Sequence, residues 1–295
     1  MKYLHRTLII PFIVGATLSA HATDYYVVTN GNDSANGKSP GNAFATIQKG
    51  IDSMSANDTL YVGGGRYHEE VVISNRTDLA IEAYNNEQPI IDGTIPISGP
   101  WTTTNLNGHA VWVASASEDI WQLFVDDRMQ VVARWPNVTV GHPCDPIQLK
   151  SNGHDPVEDS WWDIGTWGQM YNTHNDSGVL TNHTLYHDLA AENVSFAGGS
   201  IVLNFHSESQ FSRNILTHEA GSDALTYEPV VNPHDKGAGP FLIEDLNALD
   251  LPGEWWYDKA TGLVWFWPEG GQNPNTLDIR GKSISYGLTM TGCSD

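Results

Sequence analysis

The chain is poor in cysteine, in positive charge and in long apolar runs. Its two cysteines, Cys144 and Cys293, could pair in an oxidising compartment, but two cysteines so far apart exclude a disulfide-rich framework. The 14 Lys and Arg residues stand against 35 Asp and Glu residues, and the formal net charge of −21 argues against nucleic acid and anionic membranes as partners. Beyond the N-terminal stretch, no segment is long and apolar enough to span a bilayer.

The first residues have the pattern of a secretory signal peptide. Lys2 and Arg6 precede an apolar run at 8–18, and Ala20-His21-Ala22 gives the small-x-small pattern of a cleavage site. The apolar run is shorter than the roughly 20 residues that cross a bilayer, which disfavours a membrane anchor. We therefore expect a secreted or periplasmic protein that has no membrane association after cleavage.

An amphipathic pattern begins at Phe44. The apolar residues Phe44, Ile47, Ile51 and Met54 are spaced by three, four and three residues, which predicts a helix over 44–54 with one buried side. Short β-rich runs follow at 59–62, 70–73, 79–84 and 89–92, separated by glycine, asparagine and aspartate. Short strands at close, regular spacing are typical of a solenoid, in which each coil buries its inner face against the next.

The chain changes character near Gly99-Pro100, where hairpin patterns replace this rhythm. Apolar runs at 123–125 and 129–133 flank a polar turn, and the aromatic runs 254–258 and 263–267 flank a turn that ends in Gly262. Further strands are predicted at 110–116, 200–205 and 225–231. Together these patterns favour a β-sandwich-like domain, whereas the polar, weakly periodic stretch 139–193 predicts mostly loops.

The motifs of the first hundred residues resemble those of a known superfamily. The runs YYVVTNGND (25–33), PGNAFATIQ (40–48), DTLYVGGGRY (58–67) and EQPIIDG (87–93) look like the opening of secreted right-handed parallel β-helix proteins of the pectin-lyase-like superfamily. The resemblance implies that the helix over 44–54 closes the open end of the β-helix. An uncapped terminal coil would expose strand edges and apolar side chains.

Two later runs extend the resemblance. QLFVDDRMQVVARWPN (122–137) and LDLPGEWWYDKATGLVWFWPEGG (249–271) resemble the paired motifs of a β-sandwich inserted between early coils of certain β-helix glycoside hydrolases, including α-1,3-galactosidase-like and β-xylosidase-like families. A glycine is usual where Asp127 stands. In the family the catalytic acids sit on later coils, a stretch that this sequence largely lacks, so the resemblance assigns no catalytic residue here.

The predicted class is therefore all-β, a right-handed parallel β-helix start with an N-terminal capping helix, interrupted by a β-sandwich-like domain. The expected division is a signal peptide at 1–22, the cap and first coils at 23–99, the inserted domain at 100–275, and resumed coils at 276–295. A last coil with no successor would leave an apolar face and a strand edge exposed. We therefore expect the sequence to be a C-terminally truncated fragment.

A glycosidase needs two carboxylic acids that flank the scissile bond. The densest cluster of titratable residues contains His206, Glu208 and Asp223, together with His218 and Glu219, and these are the candidate catalytic residues. The alternative is that these residues have no catalytic role and simply lie at exposed strand ends.

Glu254 and Asp258, in the run PGEWWYD, are also candidates for catalysis. The alternative is that they hold the turn and edge of their hairpin through hydrogen bonds. That structural interpretation is the one the sequence favours.

Four tryptophans of the same hairpin are candidates for binding a sugar ring: Trp255, Trp256, Trp265 and Trp267. Side-chain alternation places Trp255 and Trp256 on opposite faces of the sheet, so that one of them should point outward. The alternative, which we favour, is packing inside the protein.

The sequence predicts no metal site. His183 and His187 have the spacing of two ligands on one helix face but lack the glutamate of a zinc peptidase. The run 30–33 with Asn36 offers oxygen ligands suited to calcium, but its spacing is not that of a helix-loop-helix calcium site, and Asx-turns are the simpler explanation. No other cofactor is indicated.

The favoured function is that of a secreted glycoside hydrolase, or a fragment of one, acting on polysaccharide or oligosaccharide. One alternative is a polysaccharide lyase or epimerase on the same β-helix, which would need a basic residue to abstract a proton; such residues are scarce here. The other is a non-catalytic carbohydrate-binding or adhesin module. In each case the expected partner is carbohydrate.

Overall fold

A computed structural model describes residues 22–137, 168–169, 178–182, 187–206, 209–230 and 240–294, with the side chains of 168, 169, 205, 206, 209 and 240 excepted. The predicted signal peptide, Cys144 and most of the predicted loop segment lie outside these ranges. The chain divides into two compact units, residues 1–92 with 286–295, and residues 93–285. Its described part is rich in strands and contains one α-helix, which confirms the all-β class; the sheets are mixed, and most strand pairs are antiparallel.

The first unit contains only parallel strand pairs among its described residues. Its strands are β1 Asp24–Val27, β2 Thr59–Val62, β3 Gly65–Tyr67, β4 Val71–Ser74, β5 Ala80–Ala83, β6 Pro89–Ile91 and β23 Leu288–Thr291. The pairing order is β1-β2-β5, β3-β6 and β4-β23. The strands predicted at 59–62, 70–73, 79–84 and 89–92 therefore lie within a residue or two of β2, β4, β5 and β6.

The helix α1, Ile47–Ser53, is shorter than the predicted one, but its apolar stripe is buried as expected. Phe44, Ile47, Ile51 and Met54 are each at most 3 % exposed. Phe44 lies before the helix because its backbone forms a parallel bridge with Val27, and Met54 has extended dihedral angles. The buried stripe thus includes one residue on either side of α1.

Within its described residues, the second unit holds three sheets of four, five and seven strands. Its strands are β7 Thr94–Pro96, β8 Thr102–Leu106, β9 His109–Ser115, β10 Leu123–Val125, β11 Arg128–Met129, β12 Val131–Val132, β13 Arg134–Trp135, β14 Gly168–Gln169, β15 Val179–Thr181, β16 Ser200–His206, β17 Ser209–His218, β18 Ala224–Tyr227, β19 Pro240–Glu244, β20 Glu254–Asp258, β21 Leu263–Phe266 and β22 Ile279–Lys282. The orders are β11-β10-β22-β7, β12-β20-β21-β9-β8 and β13-β19-β16-β17-β18-β15, with β14 also paired to β19.

The four- and five-stranded sheets pack against each other through one apolar core. Leu123 and Ile279 from the first of these sheets meet Trp255, Val264 and Phe266 from the second. A separate core belongs to the seven-stranded sheet, whose inward residues include the fully buried Ile201, Leu203 and Phe241. The β-sandwich-like domain stays a prediction.

Both predicted hairpins are present. β10 pairs antiparallel with β11, and the connecting Asp126 and Asp127 both have positive φ, 48° and 65°. Aspartate tolerates this left-handed conformation better than most residues, so it can stand where a glycine is usual. The strand predicted over 129–133 is divided between two partners. The Gln130 N–H donates to the Leu123 carbonyl at 2.8 Å, next to the β10–β11 pairing, whereas β12 pairs in parallel with β20.

The strand β22 lies in the second compact unit. The strand β22, predicted as part of a resumed coil, pairs antiparallel with β10 and β7 in the second unit. Arg280 on β22 donates from Nε to Thr94 Oγ1 at 2.8 Å. The first unit resumes only with β23, which lies parallel to β4. The place of β22 is set by pairing with strands far away in the sequence, and the local pattern of 277–281 does not predict such pairing.

Candidate functional site

The tryptophans of the aromatic hairpin β20–β21 lie on two faces of the sheet. Trp255 lies opposite Phe266 in the antiparallel register, and Trp256 lies opposite Trp265. Trp255 is 2 % exposed inside the core, so its indole is closed to a ligand in this structure. The half-buried Trp256, Trp265 and Trp267 pack instead around Val111, Ala133 and Leu249.

Glu254 begins β20 and is 3 % exposed. Its Oε2 accepts hydrogen bonds from the backbone N–H groups of Asp250 and Leu251, both at 3.1 Å, and the carboxyl group also takes one from the backbone of Arg134. Burial raises the pKa of Glu254 to about 8, although these backbone hydrogen bonds act in the opposite direction. A carboxyl group with this pKa is largely protonated at neutral pH.

Arg134 brings a positive charge into the same region. Its Nε donates to the Pro136 carbonyl at 3.1 Å, and its backbone lies opposite Glu244 in the β13–β19 register. Burial lowers the pKa of Arg134 to about 10, and the charges of Glu244 and Glu254 act in the opposite direction and raise it. Burial also raises the pKa of Glu244, an effect that the charge of Arg134 reduces. The guanidinium group therefore partly compensates the desolvated carboxyl group of Glu244.

Asp250 connects this region to the aromatic face. Its Oδ1 accepts a hydrogen bond from Asn137 Nδ2 at 2.9 Å. Burial raises the pKa of Asp250, and the hydrogen bond from Asn137 and the nearby His109 reduce this rise. The His109 ring lies against Trp267 with ring centroids 4.8 Å apart. We call Glu254, Asp250, Arg134, Glu244 and Asn137 the Glu254 cluster.

Carboxyl groups with raised pKa values are candidates for general acids, because such groups hold a proton near neutral pH. Glu254, however, is buried and accepts three backbone N–H groups, so no substrate oxygen can reach it in this structure. These contacts match the interpretation that Glu254 holds its hairpin. Asp258 does the same at the other end, where Oδ1 accepts from the Ala260 N–H at 2.9 Å.

The candidate catalytic residues named from the sequence are not brought together by the described contacts. Glu208 and the side chain of His206 lie outside the described residues. Asp223 is exposed, and its backbone carbonyl accepts from the Asn182 N–H at 2.7 Å. His218 is buried and structural, since Nδ1 accepts from the Phe196 N–H at 3.1 Å and Nε2 lies 3.1 Å from the Ser222 carbonyl.

The two candidate metal sites also have other partners in the structure. His187 packs edge-to-face against Trp135, and His183 lies outside the described residues. In the run 30–36, Asn32 and Asn36 each accept a backbone N–H two residues later, as Asx-turns do. Within the described ranges, no group of three or more His, Cys, Asp or Glu residues could hold a metal ion.

Sequence reasoning missed Arg134, Asp250 and His109. Arg134 stands inside the apolar run VVARWP, and a charged residue in such a run is the one sequence feature that pointed to a buried charge. Asp250 and His109 lie in ordinary loop and strand contexts, so only their tertiary contacts identify them.

Among the described residues, no helix is long and apolar enough to cross a membrane.

The sequence matches no protein-family model and no curated protein sequence. The structure resembles a solved protein described as "Glycoside hydrolase", with a TM-score of 0.64 and 18 % sequence identity over 91 % of this chain and 47 % of that one. A second solved structure, "The complex structure of XylC with xylose", aligns with a TM-score of 0.34 and 16 % identity over 91 % of this chain and 34 % of that one. The chain therefore has a glycoside hydrolase-like fold and spans about half the length of the first of these proteins.

Proposed function

We propose that this chain belongs to a secreted carbohydrate-active protein of the glycoside hydrolase type, built on a right-handed parallel β-helix with an inserted β-sandwich. The observation that carries the proposal is the likeness to a glycoside hydrolase over 91 % of the chain, at a TM-score of 0.64. The parallel pairing of β1, β2 and β5 supports the β-helix, because successive coils of such a fold stack in parallel. The N-terminal pattern supports export.

In this proposal the Glu254 cluster is structural, and the catalytic pair consists of other carboxylic acids. Hydrolysis requires one acid that protonates the leaving oxygen and a second that attacks or activates water, and both must reach the sugar. Glu254 is closed off by the loop that carries Asp250 and Leu251. The second unit then serves to support and contact carbohydrate.

A second candidate function is a non-catalytic carbohydrate-binding module. It is favoured by the same burial of Glu254, whose raised pKa would otherwise suit a general acid. Such a module needs aromatic and polar contacts to sugar, but no pair of accessible acids.

The test is to express the full open reading frame, if it extends past Asp295, and to incubate the purified product with neutral oligosaccharides and, separately, with uronate oligosaccharides. Release of reducing sugar without a new ultraviolet absorbance is the expected result and indicates hydrolysis. An unsaturated, absorbing product would instead indicate a lyase, because proton abstraction next to the carboxylate leaves a double bond. Binding without either product would favour the module, and the absence of both binding and turnover would contradict the proposal. A Glu254→Gln variant that keeps full turnover would support the structural role of that residue.

A further inference from the structure

One tryptophan of the second unit is presented to solvent. Trp121 is 44 % exposed, whereas the other tryptophans with described side chains are buried or half-buried. A single exposed apolar residue is ordinary on a protein surface. What sets Trp121 apart is that its backbone is held on both sides and that Asp119, two residues earlier in the chain, has polar partners of its own.

The backbone around Trp121 is fixed on both sides. Its N–H donates to the Lys282 carbonyl at 3.1 Å, and the preceding Ile120 is 4 % exposed in the core. Ile120 packs so closely on Gly281 that a Cβ at Gly281 would lie 2.6 Å from it. Two residues after Trp121, Leu123 is fully buried in β10. The backbone that carries the indole is therefore fixed, so it adds little to the conformational entropy that is lost when a ligand stacks on the ring.

The carboxylate of Asp119, two residues before Trp121, has polar partners from β20 and the turn that follows it. The Asp119 carboxylate accepts from the Tyr257 hydroxyl at 2.9 Å and pairs with Lys259 Nζ at 2.6 Å. Hydrogen bonds from Lys259 and Tyr257 lower the pKa of Asp119, which keeps it an ionised acceptor at neutral pH. We call Trp121, Asp119, Tyr257 and Lys259 the Trp121 patch.

We propose that the Trp121 patch is a sugar-binding subsite, in which one pyranose ring stacks on the indole and its hydroxyl groups bind Asp119 and Lys259. A pyranose offers an apolar C–H face and a polar rim, which an indole beside charged hydrogen-bonding groups complements. The ligand is a neutral saccharide, because Lys259 is already paired and the chain carries a net charge of −21, which repels polyanions. The inference rests on the proposed carbohydrate-directed function.

The test compares Trp121→Ala and Trp121→Phe with the wild type by isothermal titration calorimetry, using xylotetraose and galactotetraose as probes. The expected result is a loss of affinity of about tenfold or more for Trp121→Ala and a smaller loss for Trp121→Phe, at unchanged melting temperature. Leu216→Ala is the matched control, because Leu216 is 54 % exposed in the same unit and is expected to leave binding unchanged.

Two different failures can be told apart. If the wild type binds or cleaves neutral saccharide and Trp121→Ala does so equally well, the subsite is refuted while the proposed function stands. If the wild type neither binds nor cleaves either probe or the other oligosaccharides, both are refuted. Equal losses in Trp121→Ala and Leu216→Ala would also contradict the subsite, since they would reflect a general effect.

Discussion

The carboxyl group of Glu254 ties down the loop that precedes its own strand, because its Oε2 accepts a hydrogen bond from the Leu251 N–H at 3.1 Å. The same oxygen accepts the N–H of Asp250, so one buried acceptor satisfies two loop donors. Backbone donors that are even partly removed from water stabilise the fold when they are paired. The loop between β19 and β20 is therefore tied to the hairpin through one side chain.

The first prediction concerns this side chain. Replacing Glu254 by Ala leaves the partly buried N–H groups of Asp250 and Leu251 without this acceptor and is expected to lower the free energy of unfolding by about 1–3 kcal/mol. Chemical denaturation measures the change. The control is Glu118→Ala, an exposed residue of the same unit, which is expected to be neutral. Equal stability of Glu254→Ala and the wild type would show that the loop does not depend on this carboxylate.

The second prediction is a pH dependence. In the folded chain the pKa of Glu254 is about 8, above its ordinary value of 4.5, so between these values the folded state holds a proton that the unfolded state has lost. Stability is therefore expected to fall as pH rises through this interval, with a slope of at most about 1.4 kcal/mol per pH unit from this group.

Burial also raises the pKa values of Glu192, Glu244, Asp245 and Asp250, which adds to the same trend. Melting temperatures of the wild type and of Glu254→Gln, taken from about pH 5 to about pH 8, measure the effect. The variant is expected to show a flatter decline, because it lacks the titrating group. A wild-type stability that rises with pH over this interval is the opposite outcome.

The third prediction concerns the helix of the first unit. The Glu69 carboxylate accepts the N–H groups of Ile47 at 2.7 Å and Gln48 at 2.9 Å, at the start of α1. Glu69→Ala is expected to destabilise the helix by about 1–2 kcal/mol, since it removes both acceptors and a negative charge at the helix N-terminus. Amide hydrogen exchange over 47–53 reports it directly. Glu69→Gln retains one acceptor, so its exchange rates should lie between those of the wild type and Glu69→Ala. Unchanged exchange in both variants would argue against this cap.

The fourth prediction isolates backbone strain. Gly262 has a φ of 71°, and no neighbouring atom lies within 4 Å of the position that a Cβ would take, so Gly262→Ala tests conformation alone. The expected cost is about 1 kcal/mol. Gly41→Ala is the matched control, because Gly41 has equally open surroundings without a positive φ, and it should be neutral or slightly stabilising. Equal effects of the two substitutions would exclude strain at Gly262 as the cause.

Local sequence patterns predicted much of the secondary structure. The spacing of Phe44, Ile47, Ile51 and Met54 identified a helix stripe that is buried, and the runs beside Asp126-Asp127 identified a hairpin that is present. Such features depend on residues a few positions apart, where periodicity and turn chemistry act. The sequence also indicated that Glu254 supports its hairpin rather than acting on a substrate.

Only the tertiary structure decided which distant residues meet. Nothing near β22 showed that it would pair with β10 and β7, because strand pairing depends on long-range hydrogen bonds that leave no local periodicity. The desolvation that sets the pKa of Glu254, and the packing that buries Trp255 while leaving Trp121 in solvent, likewise arise from contacts far apart in the chain. Sequence by itself determined the all-β class and the local elements, whereas burial and electrostatics, which depend on the assembled layers, decided what each side chain can do.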